Sequence, residues 1–125
     1  MSFDWAQYLN LAKDLIRDKD KLSSEEACLR AAISRSYYSA YCTARNRARD
    51  LESLMLSKTG EDHRKVVEHY IRSSEYKKKK IGSDLDRLRI DRAKADYNDR
   101  INNLGKMSSI STQMAERILG LIKRL

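Results

Sequence analysis

Arg92 is the residue of this sequence whose position most strongly suggests chemistry. It follows Leu85 and Leu88 and precedes Ala95 on a stripe of helical spacing, so it points where an apolar side chain is expected. An inward guanidinium needs a partner, and Asp96 lies beside it, four residues on. The pair is either a structural ion pair, an arginine reaching water at the edge of a bundle, or a groove arginine held for an anion such as phosphate.

The histidines and cysteines do not form a metal-binding pattern. His63 and His69 are six residues apart and lie on different faces of a helix. Cys28 and Cys42 fall in one predicted helix, about 21 Å apart along its axis, which is too far for a disulfide. The sequence also has no glycine-rich phosphate loop, no HExxH motif and no acidic calcium loop. It therefore predicts no metal site and no cofactor, and it leaves His63, with an ordinary pKa near 6.5, as a candidate for proton transfer.

The composition restricts the class of protein. The chain has 125 residues, a formal charge of +8, 41% hydrophobic and 35% charged residues, no proline and four glycines. That length favours one domain, residues 1–125, and excludes a two-lobed enzyme. The sequence is too apolar for disorder, too poor in turn residues for a many-stranded β fold, and lacks a membrane-spanning run. With no evident signal peptide, we expect a cytoplasmic protein whose surplus of positive charge attracts nucleic acid or an acidic partner.

Apolar periodicity predicts an all-α fold, an antiparallel bundle of about five helices built around a long second helix. The first helix covers about Ser2 to Asp18. The second is capped by Ser23 or Ser24, and its apolar stripe continues to Met55 before Gly60 stops it. Its flank mixes small, aromatic and basic residues, so a partner chain is one candidate for its second neighbour.

The remaining helices are predicted from similar signals. The third starts near Glu61 and Asp62, and its apolar face is Val66, Val67, Tyr70 and Ile71. Tyr76 to Gly82, with the lysine run Lys77 to Lys80, is interpreted as a solvated loop before a fourth helix capped by Ser83. Gly105 then breaks the pattern, and Ser111 caps the last helix, whose core side includes Met114, Ile118, Leu121, Ile122 and Leu125.

Three segments together resemble the HEPN family (higher eukaryotes and prokaryotes nucleotide-binding domains). Residues 31–41, AAISRSYYSAY, resemble its A-x-S-R-x-Y-Y-A signature. Residues 60–67 are similar to its third helix, in which a histidine precedes hydrophobic positions. Residues 85–97, LDRLRIDRAKADY, resemble its L-x-x-L-x-x-x-R-x-x-A-D-Y segment, and Ile110-Ser111 also fits. The resemblance covers essentially the whole chain and points to the prokaryotic subgroup found in toxin–antitoxin and defence loci.

The resemblance implies a helical bundle that is often a homodimer and is commonly encoded beside a small nucleotidyltransferase. Many members are metal-independent ribonucleases with an R-x(4–6)-H motif at the dimer cleft. This sequence departs from that motif, because Arg92 occupies the arginine position but Tyr97, Asn98 and Asp99 stand where histidine is expected. Arg64 and His69 satisfy the spacing, but in the wrong helix.

These observations leave three functions open. The first is a HEPN-like module that binds RNA, a nucleotide or a nucleotidyltransferase antitoxin through a dimer groove, without the usual ribonuclease site. Arg92, Asp96 and Tyr97 would form one wall of that groove, and Arg35 and Tyr38 the other, unless these side chains form a buried polar network. The second is an active ribonuclease toxin that uses Arg92 with His63. The third is a purely structural assembly protein with a large acidic partner.

Overall fold

The computed structural model describes residues 2–125, and these residues form five α-helices and no β-strand. The helices are α1 (Gln7–Arg17), α2 (Glu25–Leu51), α3 (Asp62–Ile71), α4 (Tyr76–Tyr97) and α5 (Leu104–Lys123). The predicted all-α bundle with a long second helix is confirmed. None of the helices in residues 2–125 has the length and apolar character needed to cross a membrane.

α2 is the central helix and packs against each of the other four. Its first turn is stabilised by the Ser24 hydroxyl, which accepts a hydrogen bond from the amide of Ala27 at 2.9 Å. Glu25 and Glu26 follow, close to the positive end of the helix dipole. Alanines spaced along the helix let its neighbours approach closely, and the fully buried ones are Ala32, Ala40, Ala44 and Ala48.

One buried apolar cluster joins all five helices. Leu9 of α1, Tyr70 of α3, Leu85 of α4 and Ile118 of α5 all pack into it with the inner face of α2. Each fully buried side chain of this size contributes about 1.5–3 kcal/mol to the free energy of unfolding. The apolar stripes of the separate helices therefore meet in a common core. This core determines which faces of the helices point outward and carry charged residues.

α2 ends at Leu51, well before the end predicted near Gly60. The chain leaves the helix because Ser53 takes a left-handed conformation with φ 57°, after which the amide of Leu54 donates to the carbonyl of Ala48. Leu51 and Met55 were predicted to continue the apolar stripe, but they are 71% and 82% exposed. The segment 52–61 is instead a loop beside α2.

The predicted loop over residues 76–82 is wrong, because this segment forms the first turns of α4. Lysine is a good helix former, and Lys78 is held by Glu52 at 2.8 Å. Ser83 lies inside the helix and does not cap it. Gly82 marks a close contact between helices, since a Cβ there would lie 2.7 Å from Cγ1 of Ile71 and 2.8 Å from its backbone nitrogen. The exposed fraction of Ile71 is nevertheless 41%, so it is not the core residue predicted.

The last helix also starts earlier than predicted. α5 begins at Leu104, directly after Asn103, whose φ of 57° turns the chain into the helix. Gly105 lies in the first turn, and Ser111 is a buried residue of the helix interior, not its cap. The predicted core side is confirmed: Ile118 and Leu121 are buried, and the residues packed against the core are Met114, Ile122 and Leu125.

Candidate functional site

α2 presents three tyrosines within little more than one turn at its middle. Tyr37 and Tyr41 are buried, as their place on the apolar stripe predicts, and Tyr38 is half-buried. The rings of Tyr37 and Tyr38 meet edge to face with centroids 5.1 Å apart, and those of Tyr37 and Tyr41 are stacked at 5.6 Å. Burial raises the pKa of Tyr37 strongly and that of Tyr41 to about 12, so both phenols are neutral hydrogen-bonding groups.

His63, near the start of α3, packs into the same tyrosines. Its ring stacks on Tyr41 with centroids 4.2 Å apart and an interplanar angle of 3°. Its Nδ1 lies 2.5 Å from the hydroxyl of Tyr37. Burial and then the charge of Arg92 lower the pKa of His63 below its ordinary 6.5. A neutral imidazole that accepts the Tyr37 proton at Nδ1 carries its own proton on Nε2.

Arg92 lies close to the rings of Tyr37 and Tyr38. Its Cζ is 5.4 Å from the ring centroid of Tyr37 and 5.6 Å from that of Tyr38. Its side chain is only 17% exposed and its Nη1 contacts Asp96 at 3.3 Å. Its buried Nε has no hydrogen-bond partner among residues 2–125. The guanidinium is therefore fixed by aromatic faces and one carboxylate, with hydrogen-bonding capacity left over.

Arg35 also lies against Tyr38. Its Cζ is 5.2 Å from the ring centroid of Tyr38 and 4.7 Å from that of Tyr8 in α1. Tyr38 thus has two guanidinium groups near its ring, one from α2 and one from α4. We call this group, Arg35, Tyr37, Tyr38, Tyr41, His63 and Arg92, the arginine–tyrosine cluster.

The structure brings together most of the residues selected from the sequence. Arg35, Tyr38, Arg92 and His63 belong to the cluster, and Asp96 reaches it through Arg92. Tyr97 does not, since it is the last residue of α4 and is 77% exposed.

Arg30 explains the position of Tyr97. The Arg30 guanidinium donates to the carbonyls of Ala95, Asn98 and Asp99 at 3.0, 2.6 and 3.2 Å. These bonds fix the turn that follows α4, because the last carbonyls of a helix have no partner within it. Tyr97 therefore lies at a helix end that Arg30 holds in place, and it makes none of the ring contacts of the cluster.

A cavity of about 610 Å³, which the sequence did not predict, lies beside the cluster. It lies between the second half of α2 and the loop 52–61, and Tyr38, Tyr41 and His63 belong to both features. Its other lining residues are Cys42, Arg45, Arg49, Leu54, Met55, Leu56, Lys58, Thr59 and Asp62. One signal was available, because Tyr41, Arg45 and Arg49 follow each other at steps of four and so share a helix face. The loop side chains gave no such signal.

Several cations on this face lack an acidic partner. Among residues 2–125, Arg35, Arg45 and Lys58 form no ion pair, and Arg45 contacts the rings of Trp5 and Tyr41 at 5.7 and 5.8 Å. Such charges keep their full attraction for an anion. Part of the net positive charge of the chain is therefore located around the cluster and the cavity.

Arg64 and His69, the pair that satisfies the R-x(4–6)-H spacing, lie outside the cluster. Arg64 pairs with Glu68 at 3.1 Å on the exposed face of α3. His69 contacts Glu52 at 2.6 Å, together with Lys78. These contacts tie α3 and α4 to the end of α2, so His69 has a structural partner. No group of three His, Cys, Asp or Glu side chains in residues 2–125 is arranged to hold a metal ion, and both cysteines are buried and free.

Comparison with known proteins gives no relative from which the site could be interpreted. The chain matches no protein-family model, no curated protein and no solved structure. The chemistry of the cluster is therefore inferred from its own residues.

Proposed function

We propose that this protein is a HEPN-like module of a prokaryotic toxin–antitoxin or defence system that binds single-stranded RNA through the arginine–tyrosine cluster. The observation that carries the proposal is the half-buried ring of Tyr38, whose centroid lies 5.2 Å from Cζ of Arg35 and 5.6 Å from Cζ of Arg92. Aromatic rings stack on bases and arginines bind phosphates in protein sites for single strands. In the cluster, aromatic rings and arginines alternate over a short distance, as bases and phosphates alternate along an RNA strand.

The proposal includes the partners that the HEPN resemblance implies. These are a second copy of the chain, packed through the long helices, and a nucleotidyltransferase antitoxin. α2 supports the first, since Arg35 and Tyr38 lie on a face that is half-exposed in the single chain. A second copy against this face would convert the cluster into a groove.

The binding proposal is tested by fluorescence anisotropy with a labelled, unphosphorylated single-stranded RNA of eight nucleotides. Arg35→Gln removes one cation of the cluster, and we expect the Kd to rise about tenfold, as the loss of a charge-assisted hydrogen bond predicts. The salt dependence of log Kd should fall by about 0.7 per lost phosphate contact. Arg124→Gln, an exposed arginine after α5, is the matched control. Equal Kd values for the two variants would contradict the proposal.

A second candidate function, metal-independent RNA cleavage, is supported by one further observation. His63 and Arg92 of the same chain both contact one side chain, Tyr37, His63 at its hydroxyl and Arg92 at its ring. In such a reaction the 2′-oxygen of the RNA bonds to phosphorus as the bond to the 5′-oxygen breaks. His63, in the tautomer whose Nδ1–H donates to the Tyr37 hydroxyl, would accept the 2′-hydroxyl proton at Nε2. Water would protonate the leaving oxygen, and Arg92 would stabilise the negative charge on the phosphoryl oxygens.

Cleavage is tested by incubating the protein with total cellular RNA and a tRNA pool in the presence of EDTA. Loss of RNA with the wild type, abolished in folded Arg92→Ala and His63→Gln variants but kept in Arg124→Gln, would support a ribonuclease. Intact RNA under conditions where the anisotropy experiment detects binding would limit the function to binding.

A further inference from the structure

The cavity beside the cluster is built on two walls of different character. One wall is α2, with Tyr41, Arg45 and Arg49, and the other is the loop that carries Met55 and Lys58. Its volume of about 610 Å³ lies within the range of 300–1,000 Å³ typical of sites for small molecules. It therefore has room for a group much larger than a phosphate ion.

The charge of the cavity is positive and largely uncompensated. Arg45 and Lys58 form no ion pair with any residue of 2–125, and Arg49 contacts only the exposed carboxylate of Asp50 at 2.8 Å. Asp62 is the one carboxylate in the lining. Because Arg49 is paired with Asp50, Arg45 and Lys58 are the two cations of the lining that have no carboxylate partner. Their combined charge is close in magnitude to that of a phosphate monoester, which is about −1.5 to −2 at pH 7. A phosphodiester carries a single charge and matches less well.

Asp62 does not compete for the cations, because its carboxylate is already hydrogen-bonded. It accepts from the amide and hydroxyl of Ser57 at 2.7 Å each and from the amide of Lys58 at 2.7 Å. These bonds, the backbone amide of Ser57 first, lower the pKa of Asp62. They also fix the backbone of Lys58 in its left-handed conformation, φ 61°, at the cavity wall.

The remaining lining is apolar and aromatic. Leu54 and Leu56 are anchored on the core, whereas Met55 between them is 82% exposed. On the facing wall, Tyr41 and His63 are stacked on each other. A flat, partly apolar group such as a nucleobase or ribose fits a space with these walls, and methionine adapts well to such ligands.

We infer that this cavity binds a nucleotide that carries a phosphate monoester, with the phosphate held by Arg45, Lys58 and Arg49. The ligand is either a free mononucleotide or the phosphorylated end of an RNA strand whose next nucleotides lie on the arginine–tyrosine cluster. This second source rests on the proposed function. Tyr38, Tyr41 and His63 are shared by the cavity and the cluster, so the two features adjoin and one strand could contact both.

The experiment compares one RNA sequence of eight nucleotides in three forms: 5′-phosphorylated, 3′-phosphorylated and unphosphorylated. Anisotropy gives the Kd of each, and titration calorimetry with AMP and adenosine tests the free nucleotide. We expect at least one phosphorylated RNA end, or AMP over its nucleoside, to bind about tenfold more tightly than the form without the monoester. Lys58→Gln should remove that preference, and Lys123→Gln, an exposed lysine at the end of α5, should keep it. Circular dichroism checks that both variants are folded.

The outcomes separate this inference from the proposed function. Equal binding of all three RNA forms, with no preference for AMP, overturns the monoester site and leaves RNA binding by the cluster intact. Preference for AMP without measurable RNA binding supports the cavity and overturns the cluster proposal. A preference that persists in Lys58→Gln and in Arg45→Gln places the monoester elsewhere and overturns the inference.

Discussion

At the residue scale, the contact between Tyr37 and His63 is the feature that determines the chemistry of the site. The imidazole is stacked on Tyr41 and hydrogen-bonded through Nδ1 to a buried phenol, so it is held in a fixed orientation. In the tautomer that accepts the phenol proton at Nδ1, the N–H is on Nε2 and can donate to a phosphate oxygen. In the other tautomer, Nδ1–H donates to the Tyr37 hydroxyl and Nε2 is free to act as a base.

The lowered pKa of His63 makes the free energy of unfolding depend on pH. Because the native pKa lies below the unfolded value of 6.5, protonation favours the unfolded chain. The contribution of neutral His63 to the free energy of unfolding is therefore complete above pH 6.5. It declines as the pH falls from 6.5 towards the native pKa of His63. Urea denaturation between pH 7.5 and pH 5.5 should show falling stability in the wild type and a shallower fall in His63→Gln. Parallel curves would contradict the burial of a neutral His63.

At the element scale, Gly82 allows α4 to pack closely on the end of α3. The Gly82→Ala substitution should destabilise the protein by about 1–3 kcal/mol, because the new Cβ overlaps Ile71. The ordinary helix preference for alanine, about 1 kcal/mol, acts in the opposite direction and is outweighed.

Gly120→Ala is the matched control, since a Cβ there meets nothing within 4 Å in the interior of α5. It should stabilise the protein by about 0.4–1 kcal/mol. Urea denaturation of the two variants measures the difference. The same sign of change for both would show that α3 and α4 are not in the close contact described.

Glu52 joins the end of α2 to α3 and α4. Its carboxylate contacts Arg47, His69 and Lys78 at 2.5, 2.6 and 2.8 Å. Burial opposes its ionisation, but the hydrogen bonds from Lys78, His69 and Arg47 outweigh burial and lower the pKa of Glu52 to about 2. Its stabilising effect is thus complete above the ordinary pKa of about 4.5 and is lost as the pH falls towards 2.

We expect Glu52→Gln to lower the free energy of unfolding at pH 7 by about 1–3 kcal/mol, since it leaves half-buried Arg47 without a carboxylate and Lys78 with only Glu75, 3.7 Å away. The difference from the wild type should shrink as the pH falls from 4.5 towards 2. A constant difference over that range, measured by urea denaturation, would show that Glu52 is not held ionised by these contacts. Glu25→Gln, at an exposed position in the first turn of α2, serves as the charge control.

At the scale of the whole molecule, apolar periodicity was sufficient to predict the bundle and its long second helix. It failed at helix ends, where Gly82, Ser83 and Ser111 looked like turn or cap signals but lie within helices. At Gly82 and Ser111 the packing of the helix outweighs the local preference, whereas Ser83 is exposed within α4. Gly82 is tolerated because α3 needs the space, and Ser111 because it is small enough to be buried.

The candidate site was predictable only where a single helix carried the information. The inward position of Arg92 followed from its stripe and Asp96 from the spacing of four. The contact of His63 with Tyr37 joins α2 to α3 across 26 residues, and no local pattern encodes it. The cavity depends on the path of the loop 52–61, which leaves α2 at a left-handed serine that the sequence did not reveal.

The measurement that tests the central claim most directly is RNA binding by two matched tyrosine variants. Tyr38 lies close to two guanidinium groups in the cluster, and Tyr97 is exposed outside it. Stacking on an aromatic ring is worth about 1–3 kcal/mol per base, so Tyr38→Leu should weaken binding of the unphosphorylated eight-nucleotide RNA at least fivefold. Tyr97→Leu should change the Kd less than twofold. A larger loss for Tyr97→Leu, or no loss for Tyr38→Leu in a folded protein, would contradict RNA binding by the arginine–tyrosine cluster.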